Sequence, residues 1–347
     1  MQSRSNTDLT HLSASATYAA LLVEMLVKNG VPMAELLAGT EIEPAVLKSP
    51  DSRLTAAQYK TLIENAKSLA DDPALAFKFG LQLKLSTHGF LGFAAMSAST
   101  LGEALELAVK YCRTRFDFLS LDIFELKDEV VLQLDEMVSL GAASAFLMES
   151  VMSSFGVMSL NLLGEIPEGV RCRRSCRQPE YFDEMEGWFP RRVPVQFDQD
   201  VNQVIFKKPL LLLPLNLSDP LARQLAEAQC ERELQTIQVE DDLLYRVQQI
   251  LNESQPDYPK LEQVASRLHL SERTFKRRLH EQGITFQDLL DRVRMVQAKR
   301  LLTESKRSVE AIAMALGYSD ASNFSRAFKR WQGITPARYR RQQIEIS

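Results

Sequence analysis

Apolar residues follow a helical period through the first third of the chain and alternate with polar ones in the second third. Leu22, Met25 and Leu26 recur at helical spacing before Asn29-Gly30, a stop signal. Thr55 reads as the N-cap of a helix through Leu62, Ile63 and Leu69, Asp72-Pro73 restarts another, and Thr100 caps one whose Leu101, Leu105 and Ala108 form a stripe. From Phe116, "FDFLSLDIFEL" alternates apolar and polar residues, and "EVVLQLDE" from Glu129 does the same. The Lys127-Asp128 corner between them predicts a hairpin. An apolar helix over 142–163 ends at Gly164, and short strands are expected at 169–176, 193–197 and 201–206. Residues 1–217 are thus expected to form an α+β domain of helices with a small antiparallel sheet.

Ser218-Asp219-Pro220 opens a further helix, with Pro220 in its first turn. Its Leu221, Leu225 and Ala228 make a narrow stripe, read either as the packing face of a connector or as a dimer seam too short for a coiled coil. Residues 235–239 read as a linker, so 218–239 are a connector helix and linker and 240–347 a separate module.

That module contains an imperfect repeat. "VASRLHLSERTFKRRLHEQGIT" starts at Val264 and "IAMALGYSDASNFSRAFKRWQGIT" at Ile312. Val264 matches Ile312, Leu268 matches Leu316, Ser271 matches Ser319, Phe275 matches Phe324 and Leu279 matches Phe328. Each copy predicts two helices joined by a tight turn. His269 and Gly317 sit at the turn, where a left-handed backbone is expected. Ser271 and Ser319 are expected N-caps, and Gly283 and Gly333 mark the ends. The pattern is a helix-turn-helix, written twice.

At 100° per residue, Phe275 and Leu279 face inward while Arg273 and Arg277 face out, with Lys276 beside them. In the second copy Phe324, Phe328 and Trp331 face inward, and Ser322, Arg326 and Lys329 face out beside Asn323. Arginine suits guanine edges, asparagine adenine edges, and hydroxyls and lysine phosphates, as a major-groove reader requires. The helices over about 271–282 and 319–331 are the expected recognition helices. Between the copies, Leu289, Leu290, Val293, Val296, Leu301 and Leu302 predict a helix over 286–305. At ~1.5 Å per residue it spans roughly 25–30 Å, near the ~34 Å between successive major-groove faces.

Charge sharpens this picture. The 347 residues carry a net −4, but residues 255–347 hold 18 Lys and Arg against 10 Asp and Glu, a net of +8, leaving −12 for the rest. A basic module attached to an acidic domain points to a polyanionic partner. The four cysteines do not form a disulfide framework, and Cys172 and Cys176 lack the spacing and the second ligand pair of a zinc site, so no cofactor or metal is expected. The first residues lack a signal-peptide core, and the apolar run at 209–217 is short and broken by Pro214. A cytoplasmic protein without a membrane span is expected. No nucleophile elbow, phosphate loop or dinucleotide fingerprint appears, so no enzyme is expected.

The stretch "SVEAIAMALGYSDASNFSRAFKRWQGITPARYR" from Ser308 to Arg340 resembles the C-terminal signature of the AraC/XylS family of bacterial transcription regulators. The resemblance implies an all-α C-terminal domain of two helix-turn-helix units joined by a linker helix, double-stranded promoter DNA as partner, and RNA polymerase beside it. It implies base reading by Arg273, Lys276 and Arg277 and by Ser322, Asn323 and Arg326; Thr274 and Lys329 complete the candidate contact set. Pro336 and Tyr339 match the family's closing structural motif. "PEYFDEMEGWFPRRVPVQFDQDVNQVIFKKPLLLLPLNLSDP" from Pro179 is similar to the effector domain of regulators of the ornithine-utilisation type, often labelled arabinose-binding-like. That likeness implies a small-molecule effector, activation more often than repression, and no particular sugar.

Two groups are candidates for the effector site. Arg171 and Arg173, with Arg174 and Arg177, are clustered in "VRCRRSCRQ" and either clamp a carboxylate or form a solvent-facing basic patch. Phe90, Met96, Phe116 and Phe146, with Phe93, Phe118 and Met148, either line an apolar pocket or pack the core. Three functions remain open on sequence: a ligand-responsive regulator, with monomer and homodimer both open; an effector-independent DNA-binding protein whose first domain only dimerises; and an enzyme tethered to DNA.

Overall fold

The computed structural model describes residues 9, 12–49, 51–241, 243, 246–247, 250–251, 254, 257–281, 284–304, 307–332 and 334–344. Two compact units divide the chain, Met1–Gln238 and Val239–Ser347.

The first unit begins with a ribbon in which β1 (Ser13–Ser15) pairs antiparallel with β2 (Arg53–Thr55). Three residues per strand are too few to register as an alternation, so the sequence pattern does not reveal them. Each strand runs directly into a capped helix. Ser15 accepts from Thr17 N at the start of α1 (Ala16–Lys28), and α2 (Met33–Leu36) follows. Thr55 and Gln58 make a reciprocal capping box on α3 (Ala56–Ala70), as the N-cap reading expects. Asp72 Oδ1 accepts from Ala74 N, and α4 (Leu75–Gln82) starts just beyond. Then come α5 (Gly89–Met96) and α6 (Leu101–Arg115), the latter capped by Thr100.

Five strands form the sheet: β3 (Leu119–Leu126), β4 (Glu129–Glu136), β5 (Arg171–Arg173), β6 (Val195–Gln196) and β7 (Asn202–Lys207), in the order β3-β4-β7-β5-β6. The hairpin between β3 and β4 turns at Lys127, whose φ is +53°. Three expectations need correction. The sheet is not wholly antiparallel, because β5 and β6 pair in parallel, and the strands foreseen at 169–176 and 193–197 shorten to three and two residues. Phe116 is not a strand residue; it is the C-cap of α6 and bridges Ala14. On β4, Val130 through Leu134 are all buried, as in an interior strand covered on both faces.

Helix α7 (Ser144–Leu163) is long and apolar enough to cross a membrane by length and composition. Its Phe146, Leu147, Met148 and Met152 instead pack into the main core of this unit. It runs so close to α4 that a Cβ on Gly80 would meet Ser150 O at 2.5 Å. Helix α8 (Phe182–Glu186) is short, and the apolar 209–217 run forms a 3-10 turn at its start, Lys208–Leu212.

Helix α9 (Pro220–Asp241) includes residues 235–239, so the expected linker is helical. Its packing face is Ala226, Cys230 and Leu234, spaced four apart and buried against α5 and α6 residues. The stripe foreseen there, Leu221, Leu225 and Ala228, is exposed instead. Ion pairs from Arg223 to Glu103, Lys110 to Glu231 and Arg115 to Glu233 hold α9 along α6.

Among its described residues the second unit holds helices and turns and no strand. Helices α10 (Leu261–Arg267) and α11 (Glu272–Glu281) form the first helix-turn-helix, α12 (Phe286–Glu304) links, and α13 (Val309–Ala315) and α14 (Ala321–Gln332) form the second, closed by α15 (Pro336–Ile344). His269 and Gly317 take φ of +56° and +71°, as the turn reading expects. Ser271 Oγ accepts from Thr274 N, but in the second copy Asp320 Oδ1, not Ser319, accepts from Asn323 N. The second turn is one residue longer, and the cap moves with it. The expected stops Gly283 and Gly333, and the side chains of Trp331 and Val296, lie outside the described residues.

Each helix-turn-helix has its own core. Phe275 and Leu279 pack with Val264, Ala265 and Leu268; Phe324 and Phe328 pack with Ile312, Ala313, Leu316 and Tyr339. Phe328→Ala removes a fully buried ring and is expected to cost the second unit about 3–5 kcal/mol. Urea unfolding of the whole chain followed by circular dichroism checks this, and a loss below about 1 kcal/mol contradicts the packing described.

Candidate nucleic-acid interface and ligand cavity

Helix geometry assigns the outer faces of α11 and α14. Burying Phe275 and Leu279 leaves Arg273, Lys276 and Arg277 exposed, with Thr274 half-buried beside them. Burying Phe324, Ala327 and Phe328 leaves Ser322, Arg326 and Lys329 exposed, with Asn323 half-buried. All eight candidate DNA-contact residues therefore lie on two helices of matching construction.

Local bonds hold these side chains in the absence of DNA. Lys276 Nζ lies 3.6 Å from Glu272 Oε2. Arg326 Nη2 donates to Asn323 Oδ1 at 2.6 Å, while Asn323 Nδ2 donates to Asp320 Oδ2 at 2.6 Å and to Ser319 Oγ at 3.0 Å. The hydrogen bond from Asn323 N holds the Asp320 carboxyl below its ordinary range, so it stays an acceptor. Arg326 is thus orientated from below by its own helix cap, an arrangement no residue-by-residue periodicity exposes.

Both faces are tied to α12. Leu289, Leu290 and Val293 enter the first core, and Ala298 and Leu302 enter the second. Arg294 lies between the rings of Tyr258 and Tyr318, 5.1 and 4.8 Å from their centroids, and its Nη2 donates to Gly317 O at 3.2 Å. Arg330 Nη2 donates to Asp291 Oδ2 at 2.8 Å, so this basic residue of α14 turns toward the linker helix.

The first unit contains a cavity of about 290 Å³ between α7 and one end of the sheet. Of the apolar candidates only Met148 lines it, and Arg171, Arg173, Phe90, Met96, Phe116 and Phe146 do not. Arg171 makes a two-pronged pair with Glu129, 2.7 Å on each prong, and Lys207 adds a third contact at 3.1 Å. Arg173 is buried and donates to Gln196 Oε1 at 3.2 Å. Phe116 stacks on Tyr18 and Phe146 on Phe79, both inside the main core. Phe90 is exposed, and Met96 packs against the smaller core beneath α9. The residue of the arginine run that does line the cavity is Arg174, together with Glu149 from α7. Its burial depends on α7, which the local run does not encode. Among the described residues, no group of three potential ligands is placed to hold a metal ion.

Comparison with known proteins adds to this geometry. A model for the arabinose-binding domain of AraC transcription regulators, N-terminal, matches residues 30–215, and a helix-turn-helix domain model matches 264–342. The chain is 34% identical to the ornithine utilization regulator of Pseudomonas aeruginosa over 93% of this chain and 95% of that one. The chain belongs to the AraC family of transcription regulators. It is also 30% identical to a helix-turn-helix transcriptional regulator of Mycobacterium tuberculosis, over 92% of this chain and 94% of the other. Among solved structures, the transcriptional regulator CdpR of Pseudomonas aeruginosa is similar at a TM-score of 0.44 and 26% identity, covering 92% and 98% of the two chains.

As an AraC-family protein, the chain is a DNA-binding transcriptional regulator and not an enzyme. The helix-turn-helix match spans α10 from Val264 to α15, both helix-turn-helix units included. The N-terminal match spans the sheet and the cavity.

The Arg171–Glu129 pair makes a pH-dependent prediction. Hydrogen bonds from Arg171 depress the Glu129 carboxyl to about 2, with help from Lys207. A depressed carboxyl stabilises the fold above its unfolded value of ~4.3 and loses that contribution as pH falls toward 2. Arg171→Ala is therefore expected to lower the urea midpoint at pH 6–7, with the difference from wild type shrinking below pH ~4. A difference that grows on acidification contradicts this assignment.

Proposed function

We propose that this AraC-family regulator is an activator under small-molecule control, reading two successive major-groove segments of promoter DNA with α11 and α14. The observation that carries the reading is the pair of matching helices, each burying an apolar stripe and exposing arginine on the opposite side, on one shared linker helix. Nineteen residues of α12 at ~1.5 Å each give about 28 Å, suited to reading heads one helical turn apart. Arg273, Lys276, Arg277, Ser322, Asn323 and Arg326 are the base-reading candidates, and Thr274 and Lys329 bind backbone. The activator sense follows the mode more usual among the regulators the sequence resembles, and it implies contact with RNA polymerase at the promoter. Promoter binding assigns the protein to the cytoplasm.

A homodimer is supported by one specific observation. Leu221 and Leu225 lie one turn apart on α9 and remain 66% and 65% exposed, with Leu217 also exposed nearby. Leucines in this register are suited to meeting the same stripe of a second copy. That feature also fits the alternative in which the first unit only dimerises.

Arg326→Ala is expected to weaken specific DNA binding by about 1–3 kcal/mol and relax preference at one base pair. Lys329→Ala is expected to weaken all sequences evenly and reduce the salt slope by about one. Selection of preferred sequences, with titrations at several salt concentrations, measures both. Unchanged base preference in the first variant, or an unchanged slope in the second, removes that residue from its role. For the dimer, Leu221→Glu combined with Leu225→Glu is expected to convert a dimer to a monomer in sedimentation, and a wild-type monomer at micromolar concentration refutes the seam.

A further inference from the structure

The cavity beside α7 has an unusual electrostatic imbalance. Arg174, which follows β5, retains only 7% exposure. Its Nη2 donates to Ser153 Oγ at 3.3 Å, its Nη1 lies 3.9 Å from Glu149 Oε1, and Nε and Nη1 have no hydrogen-bond acceptor among the described residues. Burying guanidinium donors without acceptors is costly, so an acceptor that completes them is expected. Glu149 does not fill this role, because its 3.9 Å approach to Nη1 is beyond hydrogen-bond reach and its oxygens are turned to the Tyr181 hydroxyl, at 2.7 and 2.9 Å.

The remaining polar lining is acidic. Asp135, Glu136, Glu149 and Asp200 surround the cavity against a single arginine. Glu136 is fixed in place by accepting from Ser144 Oγ at 2.5 Å and Leu140 N at 3.0 Å, while Asp200 lies exposed at the rim. Leu134, Met148 and Met152 supply apolar wall between these groups. A simple carboxylate would satisfy Arg174 but meet four like charges, and a simple amine would leave Arg174 unpartnered. The volume, about 290 Å³, is at the lower end of ligand pockets, which excludes large occupants.

We infer that this cavity is the effector site and that it takes a small cationic amino acid, carboxylate on Arg174 and ammonium groups on the acidic rim, with the methylene stem along Met148 and Met152. The inference rests on reading the first unit as an effector domain, and names the site and the chemistry within it. Burial raises the Glu149 carboxyl above its ordinary range, so a ligand ammonium close to it would favour the charged form.

Isothermal titration and thermal melting of the full chain test this with L-ornithine and L-lysine as probes. 1,4-Diaminobutane, lacking the carboxylate, and 5-aminopentanoate, lacking the α-ammonium, serve as comparisons. Saturable binding of L-ornithine or L-lysine is expected, at least about tenfold tighter than either comparison, because each leaves buried charge unmatched. Arg174→Gln is expected to reduce that affinity about tenfold or more. Should Arg174→Gln fail to fold, Asp200→Asn on the exposed rim is expected to weaken L-ornithine and L-lysine, with 1,4-diaminobutane following and the melting temperature without ligand unchanged. Binding that neither substitution alters overturns the inference. So does a lack of binding by both amino acids; if another metabolite then raises the melting temperature, effector control stands and this chemistry falls, whereas silence across a metabolite library removes both.

Discussion

Helix α12 buries Leu289, Leu290 and Val293 in one hydrophobic core and Ala298 and Leu302 in another, so a single rigid rod belongs to both helix-turn-helix units. The orientation of each reading helix depends on this sharing. Were the two units joined by a flexible segment, the separation of their outer faces would be an average over many arrangements, and ordering them on DNA would cost conformational entropy. Arg294 reinforces the arrangement from the middle of α12, lying between Tyr258, just before α10, and Tyr318, in the turn between α13 and α14. Arg330 adds a bond from α14 back to Asp291. Basic residues in this domain thus divide into those that face outward and those that hold the frame.

Inside that frame, the outward faces are consequences of burial. A helix that commits Phe324 and Phe328 to a core has no freedom in where Ser322 and Arg326 point. The Asp320–Asn323–Arg326 chain then narrows the positions open to the arginine before DNA arrives. Preorganisation of this kind lowers the ordering cost of binding, and on the proposed reading Asn323 and Arg326 would exchange their mutual bond for base or phosphate partners.

The repeat was legible because it rests on local rules: a helical apolar period, a left-handed turn position and short turn chemistry. His269 and Gly317 show this directly, occupying the same backbone region with different side chains. What was not legible depends on distant contacts. The cap at Asp320 rather than Ser319 follows from one extra residue in the turn. The face of α9 that packs is set by α5 and α6, more than a hundred residues earlier, so the leucine stripe misleads and Ala226, Cys230 and Leu234 are buried instead. Arg171 and Arg174 are three residues apart in one basic run, yet the first is neutralised by Glu129 and the second is buried against α7. Strand pairing and helix packing assign those different fates, and neither leaves a mark in the run itself.

The central claim is that one protomer presents two reading helices to consecutive major-groove segments on one face of the duplex. Dimethyl sulfate protection of guanine N7 on promoter DNA bound by the full chain tests it most directly, because N7 lies in the major groove. The account predicts, for each bound protomer, two clusters of protection about one helical turn apart on the same face. A single cluster per protomer, or two clusters on opposite faces, would contradict it.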